Sequence, residues 1–403
     1  MTSKQTVERT RRIVDRAPAA PRVIPARTTC VGPQGPPAMA PPTVRVVPAG
    51  ELTERECQRW RELQDGDPAM ASPFFSPEFT LCASAGAANA FVAVLEVGDR
   101  QVGFLPFERS GRSGYPMGRR YAFHQGIVIE PGIDLDPVQL VRACGLREWR
   151  FSHLLAAQAA FAPFHRIRGG SAFIDLSEGF EAYLADRKQA HAKLFAELAR
   201  KGRKLERDAG PVRFDARTDD PGVVREIIRL KSDQYARTHG RNLLAIDAYG
   251  ELLQRMVKTD APRFAGVVSA LYAGDRLVGG SIGVRSRTVF VGIITVYDHE
   301  FARYSPGGVL LLRLCDALSA SGITTVDLGG SEHAYKLAWS SGETALAEGF
   351  VVTNHIARAK LACTAAGRRQ TFHLLNHGAL GPNRRLGQAL RCLRDRGATG
   401  ALR

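Results

Sequence analysis

Residues 289–330 combine two β-rich runs, one glycine-bearing turn and one apolar run in a fixed order. VFVGIITVYD is followed by HEFARYSPGG, then by VLLLRLCDALSASG and finally by ITTVDLGG. This alternation predicts strand, turn, helix and strand, with the turn at the N-terminus of the helix. The helix of such a unit needs a sheet to cover, so we predict a mixed α/β fold of the α+β type.

Hairpin patterns surround this unit and recur earlier in the chain. Residues 221–237 have helical apolar spacing, and the β-rich runs after them meet at Gly274-Asp275. In the first half, TVRVVPA predicts a strand, Thr53 is the expected N-cap of a helix ending at Gln64, and two further β-rich runs meet at Gly98-Asp99. Turn dipeptides between alternating apolar runs predict β-hairpins. The two halves therefore look like related units.

A charged stretch, Asp186 to Asp208, connects the halves and contains eight Lys and Arg residues. Its apolar residues Leu194, Leu198 and Leu205 fit one face of a helix. We interpret it as a solvated connecting helix, and a binding site for a polyanion is the alternative.

The formal net charge of +15 lies at the two ends of the chain. Residues 1–50 hold eight Lys and Arg against two Asp and Glu, and residues 356–403 hold ten against one. Residues 17–42 are rich in Pro, Ala and Gly, a composition that buries too little apolar surface to become ordered. We predict five segments: a disordered leader (1–43), a first unit (44–185), a basic connecting helix (186–210), a second unit (211–355) and a basic helical tail (356–403).

The basic tail suits anionic lipids or other polyanions as well as nucleic acid, because bulk charge attracts partners without defining a site. No apolar run approaches the roughly 20 residues of a membrane span, and the N-terminus lacks the apolar core of a secretory signal. We expect a cytoplasmic protein. Contact of its tail with the inner face of the membrane or with a polysaccharide synthase stays open.

The seven cysteines are scattered, with no C-x-x-C pair and no Cys/His cluster at zinc spacing. His373 and His377 are four residues apart but lack the glutamate of a zincin motif. We therefore expect neither a disulfide framework nor a metal site.

The turn from Arg303 to Gly308 precedes a predicted helix, where backbone N–H groups and the positive end of the helix dipole suit a pyrophosphate. Glycine allows a phosphate to approach the backbone closely. Gly and Pro also mark ordinary turns, so the pattern gains weight from its place after a strand.

Several stretches of the chain match the pattern of a known family. In the second half these are LKSDQYART (Leu230 to Thr238), DRLVGGSIGV, YDHEFARYSPGGVLL and VDLGGSEHAYKLAW, and in the first half PFFSPEFT and VGFLPFERSGR. From about Val44 to Asn354 the chain resembles the CelD-like acetyltransferase family of the GNAT superfamily, which is associated with cellulose and exopolysaccharide biosynthesis. The resemblance implies two tandem GNAT-like units, an architecture shared with Fem-like aminoacyltransferases.

The resemblance also implies where a donor binds. It places acyl-CoA, as a co-substrate, against the strand end at Tyr297 and the turn residues Arg303, Tyr304, Ser305, Gly307 and Gly308. The family loop reads Q/R-x-x-G-x-G/A, whereas Pro306 occupies the position of the first glycine here. Proline has no N–H to donate to a phosphate. A carrier protein or an aminoacyl-tRNA therefore stays open as the donor.

Acyl transfer needs a base for the acceptor proton, donors for the oxyanion and an acid for the leaving thiolate. Asp327 ends a predicted strand and is our first candidate base, the alternative being a carboxylate that caps the next turn. His333 and Glu300 are further candidate bases, although a loop histidine is also common as a surface residue. Tyr335, matching the family's Tyr-Lys pair, is the candidate acid. Trp339 is expected to be a packing residue.

A second group of side chains is expected to bind substrate. Lys336, the partner of Tyr335 in the family pair, suits a phosphate or carboxylate of donor or acceptor. Lys231, Gln234 and Tyr235 lie on a predicted helix, and their charge and hydrogen-bonding groups suit a sugar or nucleotide. The alternative is that Lys231 is only a solvated surface lysine.

These observations predict an acyltransferase that moves an acyl group from acyl-CoA to an amino or hydroxyl group of a sugar-derived precursor of a surface polysaccharide, by direct attack in a ternary complex. A Fem-like transferase using aminoacyl-tRNA and a non-catalytic scaffold of a polysaccharide-synthesis complex are the alternatives. A Ser/His/Asp hydrolase is not favoured, because the sequence has no G-x-S-x-G elbow.

Overall fold

The computed structural model describes residues 41–238, 242–330 and 334–354, and the side chains at 120, 243, 334 and 335 are not described. The predicted tail, most of the predicted leader, His333, His373 and His377 lie outside the described residues.

The described chain alternates strands with helices on both sides of a sheet. The strands are β1 (Thr43–Pro48), β2 (Ala90–Val97), β3 (Arg100–Ser110), β4 (Ser113–Pro116), β5 (Val128–Ile129), β6 (Glu148–Leu155), β7 (His165–Asp175), β8 (Val212–Asp215), β9 (Asp260–Ala261), β10 (Phe264–Ala273), β11 (Arg276–Arg285), β12 (Val289–Tyr297), β13 (Thr325–Gly330) and β14 (Gly342–Val352). The α-helices are α1 (Glu54–Asp65), α2 (Pro77–Ser84), α3 (Pro137–Ala143), α4 (Phe180–Ala190), α5 (Ala192–Ala209), α6 (Pro221–Thr238), α7 (Asp247–Lys258), α8 (Pro306–Ala320) and α9 (Ala334–Leu337). Segments of 3₁₀-helix include Pro73–Phe75, Arg119–Tyr121 and His299–Tyr304.

The strands form one mixed sheet that joins both halves of the chain. Its order is β1-β2-β3-β4-β6-β14-β7-β13-β12-β11-β10-β8, with β5 beside β3 and β9 beside β10. The last described strand, β14, lies between β6 and β7 of the first half, and β7 in turn pairs with β13 of the second. The halves are therefore interlocked by strand exchange rather than joined by a linker alone.

Local sequence accounts for many of these elements. The hairpins β2–β3 and β10–β11 turn at Gly98 and Gly274, which both have positive φ, as the Gly-Asp turns predict. Pro306 begins α8 directly after the strand and turn, at the first position of a helix, where a missing N–H is tolerated.

The charged connection differs from its prediction. It is two helices, because α4 ends at Ala190 and α5 begins at Ala192. Tyr183 of α4 is buried and donates a hydrogen bond to the Trp339 carbonyl, while α5 buries Phe195, Leu198 and Leu205. Because the chain breaks between them, each helix can bury its own apolar residues against the rest of the fold. A single straight helix could not orient both sets in this way.

One cluster of the apolar core contains residues of both halves. In the first half Trp60 of α1 stacks on Phe104 of β3 at 4.8 Å and donates its indole N–H to the Phe75 carbonyl. Phe79 of α2 packs on Phe264 of β10, with ring centroids 5.5 Å apart. The core thus fixes the first half against the second beneath the sites described below.

Replacing Thr53 by alanine is expected to lower the free energy of unfolding by about 1 kcal/mol, because Thr53 is an N-cap. The Thr53 hydroxyl accepts from the Glu56 N–H and donates to Glu56 Oε2, and alanine loses both bonds but keeps the one from its own N–H to the Glu56 carboxylate. Urea unfolding checks this, with Thr43→Ala at the exposed start of β1 as the matched control. Equal stability of the two variants would contradict the role of the cap.

Candidate active site

A gap opens between the parallel strands β12 and β13. They pair only where Val289–Val291 faces Thr325–Asp327, and then they diverge. β12 continues beside β11 as far as Tyr297, while β13 continues beside β7 to Gly330. The β13-facing edge of β12 beyond Val291 is therefore unpaired among the described strands. Its backbone groups can bind an extended ligand.

Two lysines reach the two sides of this gap. Lys231 Nζ of α6 lies 3.5 Å from the Thr295 carbonyl of β12 and 3.0 Å from Gln234 Oε1. Lys336 Nζ of α9 is buried and donates to the Gly330 carbonyl of β13 at 2.9 Å. Burial and the charge of Lys336 lower the pKa of Lys231. Because the charge of Lys336 disfavours the charge of Lys231, an anion bound beside Lys231 would be stabilised.

One tyrosine lies beside Lys231, and two further tyrosines pack against each other. The Tyr235 ring is 5.1 Å from Lys231 Nζ, within range of a cation–π contact. Tyr121, from the first half, packs edge-on to Tyr249 of α7 at 5.4 Å. Its hydroxyl is buried without a hydrogen-bond partner among the described residues, and burial raises its pKa. A buried hydroxyl without a protein partner can donate a hydrogen bond to a ligand that reaches it.

Asp327 lies at the branch point of the gap, where β12 and β13 part. It is 2 % exposed, and its Oδ1 accepts from Ser171 Oγ at 2.8 Å and from the Gly329 N–H at 2.7 Å. The carboxylate thus caps the following turn, the alternative that the sequence left open, and it is enclosed rather than facing solvent. Burial opposes its charge, but His124, Ser171 and the Gly329 N–H outweigh burial and hold its pKa below the usual value.

His124 connects Asp327 to the first half. Its Nε2 lies 3.2 Å from Asp327 Oδ2, an ion-pair distance without the alignment of a good hydrogen bond. Its Nδ1 lies 2.8 Å from Ser72 Oγ. Ser72 and His124 are each 6 % exposed. No spacing in the sequence reveals this group, because its members lie on three distant segments.

The turn before α8 has few backbone N–H groups left to bind a phosphate. Pro306 has no N–H, and the N–H groups of Gly308 and Val309 donate to the Ser305 carbonyl at 3.0 and 3.3 Å. Ser305 is left-handed (φ 52°), and its Oγ accepts from Lys201 Nζ of α5 at 3.0 Å. Lys201 therefore places a positive charge where the turn is short of backbone donors.

The other predicted turn residues have separate environments. Arg303 stacks on the ring of Tyr304, which is buried and donates to Asp208 Oδ2. A Cβ on Gly307 would lie 3.3 Å from the half-exposed Tyr297 ring. A Cβ on Gly308 would lie 2.5 Å from Leu198 Cδ2, so α5 closely covers that position.

The remaining candidates divide between the surface and the core. Glu300 is exposed and accepts from Arg276 Nη2 at 2.9 Å, in an ion pair shared with Asp298. Trp339 is buried edge-on to Phe195, as its packing interpretation predicts. The side chain of Tyr335 lies outside the described residues.

The described residues contain no group of three or more His, Cys, Asp or Glu that can hold a metal ion. No helix among them is long and apolar enough to cross a membrane.

Comparison with known proteins agrees with this geometry. Residues 192–337 match the model of an acetyltransferase (GNAT) domain. Over these residues the chain is similar to a GNAT-type domain. A crystal structure of FemX is 10 % identical with a TM-score of 0.51, covering 78 % of this chain and 99 % of that chain. This likeness shows the fold, and the predicted mixed α/β fold of two GNAT-like units is confirmed.

Two further structures are also similar. The C-terminal domain (DUF2156) of a putative lysylphosphatidylglycerol synthetase from Agrobacterium fabrum is 15 % identical with a TM-score of 0.49, covering 81 % of this chain and 98 % of that chain. A tandem GNAT protein from the clavulanic acid biosynthesis pathway is 13 % identical with a TM-score of 0.44, covering 77 % and 99 %. No curated protein sequence matches the chain.

Proposed function

We propose that the chain transfers an acyl group from acyl-CoA to an amino or hydroxyl group of a sugar-derived precursor. The observation that carries this is the gap between β12 and β13, with an unpaired strand edge and two lysines on its sides. The role in cellulose or exopolysaccharide synthesis rests on the resemblance of the sequence stretches. Under the same proposal the protein works in the cytoplasm, and its basic tail holds it near an anionic membrane or a synthase.

The donor is proposed to lie along β12. The amides of a pantetheine arm can hydrogen-bond the free edge beyond Val291, and the thioester then reaches the narrow end of the gap near Asp327. The donor phosphates would meet the α8 turn beside Tyr297, where Lys201, which is also 3.7 Å from Glu197 Oε1, supplies charge. An ammonium group there substitutes in part for the N–H that Pro306 lacks.

The acceptor is proposed to enter from the side of α6 and α7. Lys231, Gln234 and Tyr235 are on one wall, and Tyr121 adds a hydroxyl from the first half. Lysines and tyrosines together suit a sugar that carries an anionic group, because the rings pack on the sugar and the ammonium groups bind the anion.

A second candidate donor is aminoacyl-tRNA. It is favoured by the turn before α8, where the N–H groups of Gly308 and Val309 are already bonded. The exposed face of α5 adjoins that turn and carries Lys193, Arg203 and Lys204. Binding of tRNA to such a surface would weaken steeply with salt. The absence of salt-dependent tRNA binding would remove this candidate.

Gly307→Asp is expected to weaken acetyl-CoA binding at least about tenfold, because a carboxylate at the helix N-terminus repels the donor phosphates. Calorimetric titration of the full chain with acetyl-CoA measures this. Gly169→Asp is the matched control, since it adds the same charge at an open position in β7. Gly308→Asp is unsuitable, because the new side chain would collide with Leu198. Unchanged affinity in Gly307→Asp would contradict the donor placement.

A further inference from the structure

Ser72, His124 and Asp327 form a hydroxyl, imidazole and carboxylate in series. Ser72 Oγ lies 2.8 Å from His124 Nδ1, and His124 Nε2 lies 3.2 Å from Asp327 Oδ2. The series starts in the loop before the turn Pro73–Phe75 and ends at the branch point of the gap. It links the first half to the second through polar groups in a largely apolar interior.

The Ser72 hydroxyl has no local structural task. Ser72 occupies the N-cap position of the turn Pro73–Phe75, yet its side chain makes no capping hydrogen bond. Ser76, four residues later, caps α2 through the Phe79 N–H and donates to the Pro73 carbonyl. Ser72 Oγ is instead directed to His124, which is the arrangement of a nucleophile beside its base.

The Asp327 carboxylate is fixed as the orienting member of such a series. Its Oδ1 is occupied by Ser171 and Gly329, which leaves Oδ2 toward the imidazole. A carboxylate held ionised beside a histidine stabilises the imidazolium that forms when the histidine takes a proton. Burying a carboxylate and an imidazole costs free energy that burying apolar side chains does not, so packing alone does not call for these residues.

We propose that Ser72 is a nucleophile that carries the acyl group as a covalent ester during transfer. His124 Nδ1 takes the Ser72 hydroxyl proton as Oγ attacks the donor carbonyl carbon. The carbon–sulfur bond breaks, and the proton on His124 passes to the leaving thiolate. The acceptor then attacks the Ser72 ester, His124 takes the acceptor's proton, and Ser72 Oγ leaves and recovers it. The mechanism becomes two-step transfer instead of direct attack in a ternary complex.

The position of the series fits this task. The turn Pro73–Phe75 packs against β12, the strand proposed to hold the donor. A Cβ on Gly329 would lie 3.6 Å from Lys336 Nζ, so a positive charge adjoins the carboxylate end of the series.

The test is acylation of the full chain without any acceptor. We expect acetyl-CoA, and separately p-nitrophenyl acetate, to add one acetyl group to the peptide that contains Ser72, read by peptide mass spectrometry. Ser72→Ala should remove this modification, and His124→Gln should slow it roughly 100-fold or more. Ser76→Ala, which loses a cap but no nucleophile, should leave it unchanged. Thermal melting of each variant separates loss of acylation from loss of folding.

This inference rests on the proposed function for the identity of its natural donor, acyl-CoA. Different outcomes of the experiment would overturn the covalent step and the proposed donor. Acceptor acetylation without any acetyl-Ser72, or full transfer by Ser72→Ala, would overturn the covalent step and leave the proposed function standing. Acetylation of Ser72 by p-nitrophenyl acetate without acetyl-CoA binding would support the nucleophile and overturn the donor. Absence of acetyl-Ser72 with both reagents in folded wild-type protein would overturn the inference.

Discussion

Asp327→Ala is expected to lower the free energy of unfolding by about 3–5 kcal/mol, because it removes a buried carboxylate and leaves several buried hydrogen-bonding partners unsatisfied. His124, Ser171 and the Gly329 N–H would each lose an interaction in an interior that water does not reach. Urea unfolding near neutral pH measures the loss. Asp175→Ala, at an exposed position opposite Thr325 in the neighbouring strand, is the matched control and should cost under about 1 kcal/mol.

The same carboxylate should make stability depend on pH. The pKa of Asp327 is lower in the folded protein than in the unfolded chain, so its contribution is present above the unfolded value, about 3.9. The contribution is lost as the pH falls through the folded pKa. Asp327→Asn should therefore flatten this part of the acid limb of the stability curve. An acid limb identical to that of the wild type would show that Asp327 gains nothing from its neighbours.

Much of the fold could be predicted because it is encoded locally. The Thr53 cap, the glycine turns at 98 and 274, and the helix after Pro306 each depend on residues within one turn of the chain. The exchange of β14 into the first half could not be predicted, because strand order depends on contacts between segments far apart in the sequence. The break at His191 likewise depends on what α4 and α5 pack against.

Some residues of the candidate site could likewise be predicted from the sequence, and others could not. Lys231 and Lys336 could be predicted as binding residues, because the stretches that contain them resemble a known family. The structure brings both lysines to one gap. Tyr121, His124 and Ser72 come from loops of the first half that match no motif. A sequence shows that such residues exist, but their role depends on which element of the other half they face. Interlocking of the halves is therefore what completes the site.

Lys231→Met is expected to lower kcat/KM for a phosphorylated acceptor about 10- to 100-fold, because a charged hydrogen bond contributes about 1.5–3 kcal/mol. Burial and Lys336 already lower the pKa of Lys231, and Lys231 forms no ion pair with a carboxylate among the described residues. An anionic ligand would relieve both costs. Glucosamine and glucosamine 6-phosphate, each with acetyl-CoA, are suitable probe acceptors.

The comparison of the two acceptors isolates the role of the charge. The wild type should prefer glucosamine 6-phosphate, and the preference should fade as the pH rises through the lowered pKa of Lys231. Lys231→Met should lose the preference and keep most of its activity toward glucosamine. Lys258→Met, an exposed lysine at the end of α7, is the control for charge alone and should keep the preference. An equal loss of kcat/KM with both acceptors would show that Lys231 does not recognise the acceptor's charge. Lys231 would then bind the donor or stabilise the transition state, because only those are common to the two reactions.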